Sequence, residues 1–120
     1  MHVVRCESPQ AFLGRSEAFL LADEACHNLL LGVPAILMAR TANPAPPPYF
    51  AVVVDAGDVV AAAMMTPPNQ LVMSWTERSG ALGLIAQDLL AGTIIPPGVH
   101  GPAPLSRQFA GVWRKLTGQR

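Results

Sequence analysis

The sequence predicts one α+β domain in which a mostly antiparallel sheet carries helices on both faces, and three observations point there. Two apolar runs rich in β-branched residues, 49–54 and 59–65, flank the turn Asp55-Ala56-Gly57-Asp58, whose glycine can take positive φ, so they form a hairpin. Neither run alternates apolar with polar residues as a strand with one wet face would, so both faces of the sheet are covered. Apolar residues recur at helical spacing before the hairpin and again after it, which supplies the covering layers. A chain of 120 residues, 51% of them hydrophobic, can bury roughly two thirds of its unfolded surface in one core, so residues 1–120 are read as a single domain.

The elements follow in chain order. Residues 2–6 read as a short strand, after which Ser8-Pro9 is an N-cap followed by proline in the first helical turn. Phe12, Ser16, Phe19 and Leu20 then share one side of a first helix. A second helical pattern sets Cys26, Leu29, Leu30, Val33 and Leu37 on one face, and Pro34 should kink or divide it, because its nitrogen gives no bond to the Leu30 carbonyl. Residues 41–48 hold four prolines in eight positions and read as a stiff, extended spacer. The hairpin comes next, and Thr66-Pro67-Pro68-Asn69 turns the chain into a third meander strand over 70–75, with Leu71, Met73 and Trp75 on one side. Leu82, Ile85, Ala86 and Leu89 mark a third helix that stops near Gly92. Residues 94–101 have room only for a short strand. Pro102 and Pro104 open a last helix with Leu105, Phe109, Val112, Trp113 and Leu116 inward, ended by Gly118, and Arg114, Lys115 and Arg120 complement its dipole.

Composition narrows the function. The formal charge is zero and only 13% of residues are charged, about half the usual share, so no field gathers phosphates or anionic lipid and nucleic acid is excluded as a partner. The longest apolar run, 29–38, is too short for a membrane span and is interrupted by Gly32 and Pro34. The N-terminus has neither a basic segment nor an apolar core of a leader, so the expected address is cytoplasmic. Low charge with positive mean hydropathy favours association, either as a homo-oligomer or with another partner. Cys6 and Cys26 show no CxxC spacing and read as reduced thiols packed as small hydrophobes, with no metal site.

The order strand, two helices, three-strand meander, helix, short strand, helix is similar to the GNAT superfamily of N-acetyltransferases up to its fourth helix, with the last two strands missing. The wording of the chain resembles one two-half GNAT branch. The likeness lies in Phe19-Leu20-Leu21-Ala22-Asp23-Glu24-Ala25, Asn28-Leu29-Leu30-Leu31-Gly32, Tyr49-Phe50-Ala51-Val52-Val53-Val54-Asp55, Ala62-Ala63-Met64-Met65-Thr66-Pro67-Pro68 and Gly98-Val99-His100-Gly101-Pro102. The resemblance implies a three-layer α/β/α fold, acetyl-CoA as cofactor, and a segment equivalent to the N-terminal half, whose partner would be a catalytic GNAT half.

GNAT enzymes hold the cofactor's diphosphate with backbone N–H groups at a helix N-terminus, in the pattern Q/R-x-x-G-x-G/A. The matching place here is Arg78-Ser79-Gly80-Ala81-Leu82-Gly83, so Arg78, Ser79, Gly80 and Gly83 are the candidate cofactor-binding residues, with Ala81 where the pattern asks for glycine. A glycine-containing turn capped by Ser79 explains the same letters without a ligand. The fourth helix lacks the tyrosine that often serves as general acid, since Phe109 and Trp113 take its inward face. The single tyrosine, Tyr49, suits an interface role, and Glu77 is a candidate base that an exposed loop would merely solvate. His2, His27 and His100 read as surface or cap residues, with His100 the one placed to line a cleft. No catalytic residue is assigned. The expectation is the N-terminal GNAT-like portion of an acetyl-CoA-dependent N-acetyltransferase, not catalytic alone. The alternatives are a complete small acetyltransferase and a non-catalytic self-association or partner-binding module.

Overall fold

The computed structural model describes residues 1–39 and 47–118. Its elements run β1 (His2–Arg5), α1 (Pro9–Leu21), α2 (Asn28–Met38), β2 (Tyr49–Asp55), β3 (Asp58–Met65), β4 (Leu71–Met73), α3 (Ser79–Ala91), β5 (Val99–His100) and α4 (Ala103–Thr117). The strands form one sheet in the order β1-β2-β3-β4-β5. The first three pairings are antiparallel, whereas β5 lies parallel to β4, with Leu71 beside Val99 and Val72 beside His100. The fold is therefore α+β, with a mixed five-stranded sheet and four helices. The spacer expected over 41–48 lies, for residues 41–46, outside the described residues, as does Arg120.

The hairpin explains why both faces of the sheet are dry. Side chains alternate along β2, so Tyr49, Ala51 and Val53 join one cluster with Leu82, Ile85, Leu89, Phe109 and Trp113, while Phe50 and Val52 join another with Phe12, Leu20 and Leu30. Helices α3 and α4 thus cover one face, and α1 and α2 the other. In β3 the stretch Ala61-Ala62-Ala63 is almost wholly buried, and its short side chains leave room for helices on both sides. The β2–β3 turn carries positive φ at Ala56 (52°) and Gly57 (85°), the pair of left-handed residues of a type I′ hairpin.

Several local expectations hold. Ser8 accepts a bond from the Ala11 N–H at 3.0 Å and caps α1, with Pro9 in its first turn. Gly118, at φ 72°, closes α4 with its N–H on the Arg114 carbonyl at 2.8 Å. Gly92 does end α3, but for another reason: its φ is −89°, Thr93 takes the left-handed conformation, and an added Cβ at Gly92 would sit 2.5 Å from the Arg5 guanidinium.

Other expectations are corrected. Pro34 does not divide α2, which is continuous from Asn28 to Met38 with Pro34 buried in it. The buried face of α2 is centred on Leu30 and Pro34, so Leu29 is 41% exposed and Cys26 lies on the exposed connection before the helix. The strand expected over 70–75 is only Leu71–Met73, and Trp75 is exposed, because its N–H turns away to a side chain instead of the ladder. Leu116 is exposed as well, since β5 has only two residues and offers no strand beneath the last turn of α4.

The left-handed conformation costs a residue with a Cβ about 1 kcal/mol, a cost that asparagine largely escapes. Ala56→Asn is therefore expected to stabilise the domain by about 0.5–1 kcal/mol, seen as a higher urea midpoint at unchanged slope. A lower midpoint would contradict the type I′ assignment.

Candidate functional site

Strands β4 and β5 end side by side, and the chain leaves β4 directly for the N-terminus of α3. Opposite them stands the connection between α1 and α2. A cavity of about 260 Å3 lies between these parts, lined by residues 25–30, Val72, Met73, His100, Gly101 and Pro102. That is just under the roughly 300–1,000 Å3 of clefts that enclose drug-sized ligands. His100 lines it, as its place in the sequence suggested. Gly101 lets the two strands stay close, because a Cβ there would meet the Met73 carbonyl oxygen at 3.0 Å.

His27 organises this end of the sheet. Expected at the surface or at a cap, it occupies the N-cap position of α2 but makes no capping side-chain bond and is buried, at 3% exposure. Its Nδ1 is 3.0 Å from the Leu20 carbonyl at the end of α1, and its Nε2 accepts the Trp75 N–H at 3.0 Å. A carbonyl can only accept and an amide N–H can only donate, so the two partners together fix the neutral ring with its proton on Nδ1. One side chain thus joins α1, α2 and the exit from β4. Phe19 stacks on the same ring at 5.9 Å.

The four candidate cofactor-binding residues do fall at the start of α3. Arg78 is the N-cap and Ser79 the first helical residue, so Ser79 is not the cap, and no side chain caps this helix. The Arg78 N–H is taken by the buried Thr76 hydroxyl at 3.1 Å, and the Ala81 N–H by the Arg78 carbonyl at 3.0 Å. The Arg78 guanidinium reaches across to Asp55 at 2.6 Å. Met1 Cε stands 2.9 Å from where a Cβ on Gly80 would be, whereas nothing lies within 4 Å at Gly83. Ala81 is fully buried among α3 core residues. Glu77 is exposed in the same loop.

A second polar group sits at the other end of the sheet. Tyr49, expected to face a partner, is instead buried, and its hydroxyl donates to Asp88 at 2.8 Å. Arg5 bonds the same carboxylate at 2.8 Å and the Asp88 carbonyl at 2.7 Å, and its guanidinium lies 5.5 Å from the centre of the Tyr49 ring. Burial above all, then the bond to Asp88 and its charge, raise the Tyr49 pKa well above the ordinary phenol value, with Arg5 opposing. Arg5 and Asp88 were missed in the sequence because they lie 83 residues apart with no shared motif. An open cleft of about 500 Å3, lined among others by Tyr49, Phe50, Met65 and Ile94, adjoins this group.

Cys6 is buried, and Cys26, expected to be packed, is exposed. Desolvation raises both thiol pKa values, with Asp23 adding to the effect at Cys26, so neither is an activated thiolate at neutral pH. Among the described residues no three His, Cys, Asp or Glu side chains gather to hold a metal ion, and no buried side-chain nitrogen or oxygen lacks a partner. No helix among them is long and apolar enough to cross a membrane.

Removing the His27 ring leaves the Trp75 N–H and the Leu20 carbonyl without partners, at roughly 1–3 kcal/mol per buried group. His27→Ala is expected to lower stability by about 2–4 kcal/mol and to speed hydrogen exchange at the Trp75 amide; unaltered exchange there would refute the latch. Tyr49 adds an alkaline signature. Its folded pKa is raised, so its contribution is complete below the unfolded value of about 10 and is lost progressively as pH climbs above it. Wild type should therefore lose stability between about pH 10 and 11.5 by a component that Tyr49→Phe lacks; identical profiles would rule it out. No protein-family model matches the chain, and neither a curated protein nor a solved structure matches it.

Proposed function

We propose that this chain is the N-terminal, GNAT-like portion of an acetyl-CoA-dependent N-acetyltransferase, which helps to shape the acceptor side of the site and is not catalytic alone. The order of elements supports the first part. The chain runs strand, two helices, three-strand meander, helix, short strand, helix, which is the order that the resemblance implies. In this reading the cavity beside His100, bounded by the α1–α2 connection, is the part of the chain that would serve as the acceptor-side wall.

The observation that carries the second part is the engagement of the turn before α3. A diphosphate cradle needs free backbone amides at a helix N-terminus, and negative charge beside it opposes the ligand. Here the amides of Arg78 and Ala81 are taken, and the Arg78 cation is held by Asp55, whose carboxylate adds a negative charge beside the place a diphosphate would enter. The residues at 78–83 therefore fit acetyl-CoA poorly, and no transfer step is assigned to them. The catalytic half supplies the cofactor site in this reading.

Isothermal titration of acetyl-CoA into the chain tests it directly. No saturable heat is expected, and saturable low-micromolar binding would overturn the non-catalytic assignment. DNA downstream of codon 120 is expected to encode an intact Q/R-x-x-G-x-G/A in the same frame or in a neighbouring gene. A stop codon with no acetyltransferase module nearby would overturn the assignment to a larger enzyme.

A further inference from the structure

His27 is the buried imidazole among the described residues, and both of its ring nitrogens are engaged. Its Nδ1–H bonds the Leu20 carbonyl and its Nε2 accepts the Trp75 N–H, so the contact with Trp75 exists only while the ring is neutral. A protonated imidazole carries a hydrogen on both nitrogens and accepts nothing, and its Nε2–H would then point at the Trp75 N–H, donor against donor. The Leu20 bond survives, because Nδ1 donates in both forms. Proton uptake therefore cuts one tie, the one that joins the head of α2 to the exit from β4.

The two sides of that tie are not held equally. On the strand side Ser74 is fixed to β3, since its N–H bonds the Ala62 carbonyl at 2.9 Å and its hydroxyl takes the Ala62 N–H at 2.8 Å. On the helix side residues 21–26 are all exposed. The bonds of that connection, from Asp23 N–H to Leu20, from Cys26 N–H to Asp23 and from His27 N–H to Glu24, stay within it or reach only the end of α1. Segments with exposed backbone bonds and few buried contacts open first, so the connection is the part that moves. It also forms one wall of the cavity of about 260 Å3 whose other wall is Val72, Met73 and residues 100–102. We propose that His27 is a proton-operated latch: uptake of one proton by its ring detaches the α1–α2 connection from the exit of β4 and opens the cavity between them. The device rests on the geometry of this chain alone and stands whether or not the acetyltransferase reading does.

The groups around the ring do nothing to hold an imidazolium in the closed position. Helix α2 has no charged side chain. Arg15 and Glu17 on α1, Asp23 and Glu24 on the connection and Glu77 after β4 are exposed, and none of these carboxylates is paired with His27. Arg78 is held by Asp55. Cys26 also faces the Trp75 backbone, but a thiol sulfur is a weak acceptor and does not replace the ring nitrogen. His100 lines the opposite wall, and a second imidazolium there adds repulsion across the cavity.

Ring-nitrogen shifts and amide exchange of the 15N-labelled chain at about pH 7.5 and about pH 5, either side of the range in which imidazoles ordinarily titrate, test the latch. At the higher pH the His27 ring is expected to show a protonated Nδ1 and a bare Nε2. At the lower pH both nitrogens should carry protons. The protection factor of the Trp75 amide, which corrects for the intrinsic pH dependence of exchange, should then fall by roughly 10-fold or more, the ratio that loss of one buried partner gives. Ile85, in the core of α3, should keep its protection, because the opening is local. His27→Gln, which does not titrate, should leave Trp75 equally protected at both pH values, whereas His100→Gln should respond as the wild type does. A wild-type ring that stays neutral at the lower pH would overturn the proposal, and that measurement decides it even where His27→Gln fails to fold. So would an unchanged Trp75 protection, a fall that persists in His27→Gln or vanishes in His100→Gln, or an equal loss at Ile85.

Discussion

The fold rests on the burial of both faces of the β2–β3 hairpin. A strand whose side chains all meet protein cannot be stabilised by one layer, so β2 is secure only when α1 and α2 lie on Phe50 and Val52 and when α3 and α4 lie on Tyr49, Ala51 and Val53. The alanines of β3 make the two layers compatible, since bulkier side chains at 61–63 would push the helices off. The bulge between Val53 and Val54 adds local twist where the hairpin approaches its turn.

Given that sandwich, the free choices lie at the two ends of the sheet, and each is closed by one polar group with several partners. At one end His27 ties two helices to the exit of β4, and Thr76 and Asp55 occupy the turn that follows. At the other end Asp88 gathers Tyr49 and Arg5 at the last turns of α3, where the cation also complements the helix dipole. No buried side-chain nitrogen or oxygen of either group lacks a partner. Those bonds tie together elements that are distant in sequence.

Legibility in the sequence followed the range of the interaction. Signals within a few residues were readable: the Ser8 cap, the hairpin turn, the core spacing of α3 and the stop at Gly118 all depend on neighbours in the chain. What depended on a distant partner was not. Trp75 looked like an inward strand residue until its amide found His27, 48 positions earlier. Leu29 and Leu116 had correct helical spacing but lay where no strand or helix came to cover them. The candidate cofactor residues were located by pattern, yet whether their amides and charge are free is decided by Thr76 and Asp55, and Asp55 is 23 residues away.

The two helix layers are finished differently, and the contrast bears on what the molecule presents to its surroundings. Helix α4 buries Leu105, Phe109 and Trp113 and gives Arg107, Gln108, Arg114 and Lys115 to solvent, the division expected of a helix that ends the protein on that side. Helix α2 buries Leu30 and Pro34 and gives solvent leucine, glycine, alanine and isoleucine. Exposed single leucines are ordinary, because a surface must contain apolar atoms. A whole helix face without one charged group is not, since folding alone would tolerate lysine or glutamate at Ile36 without loss of core.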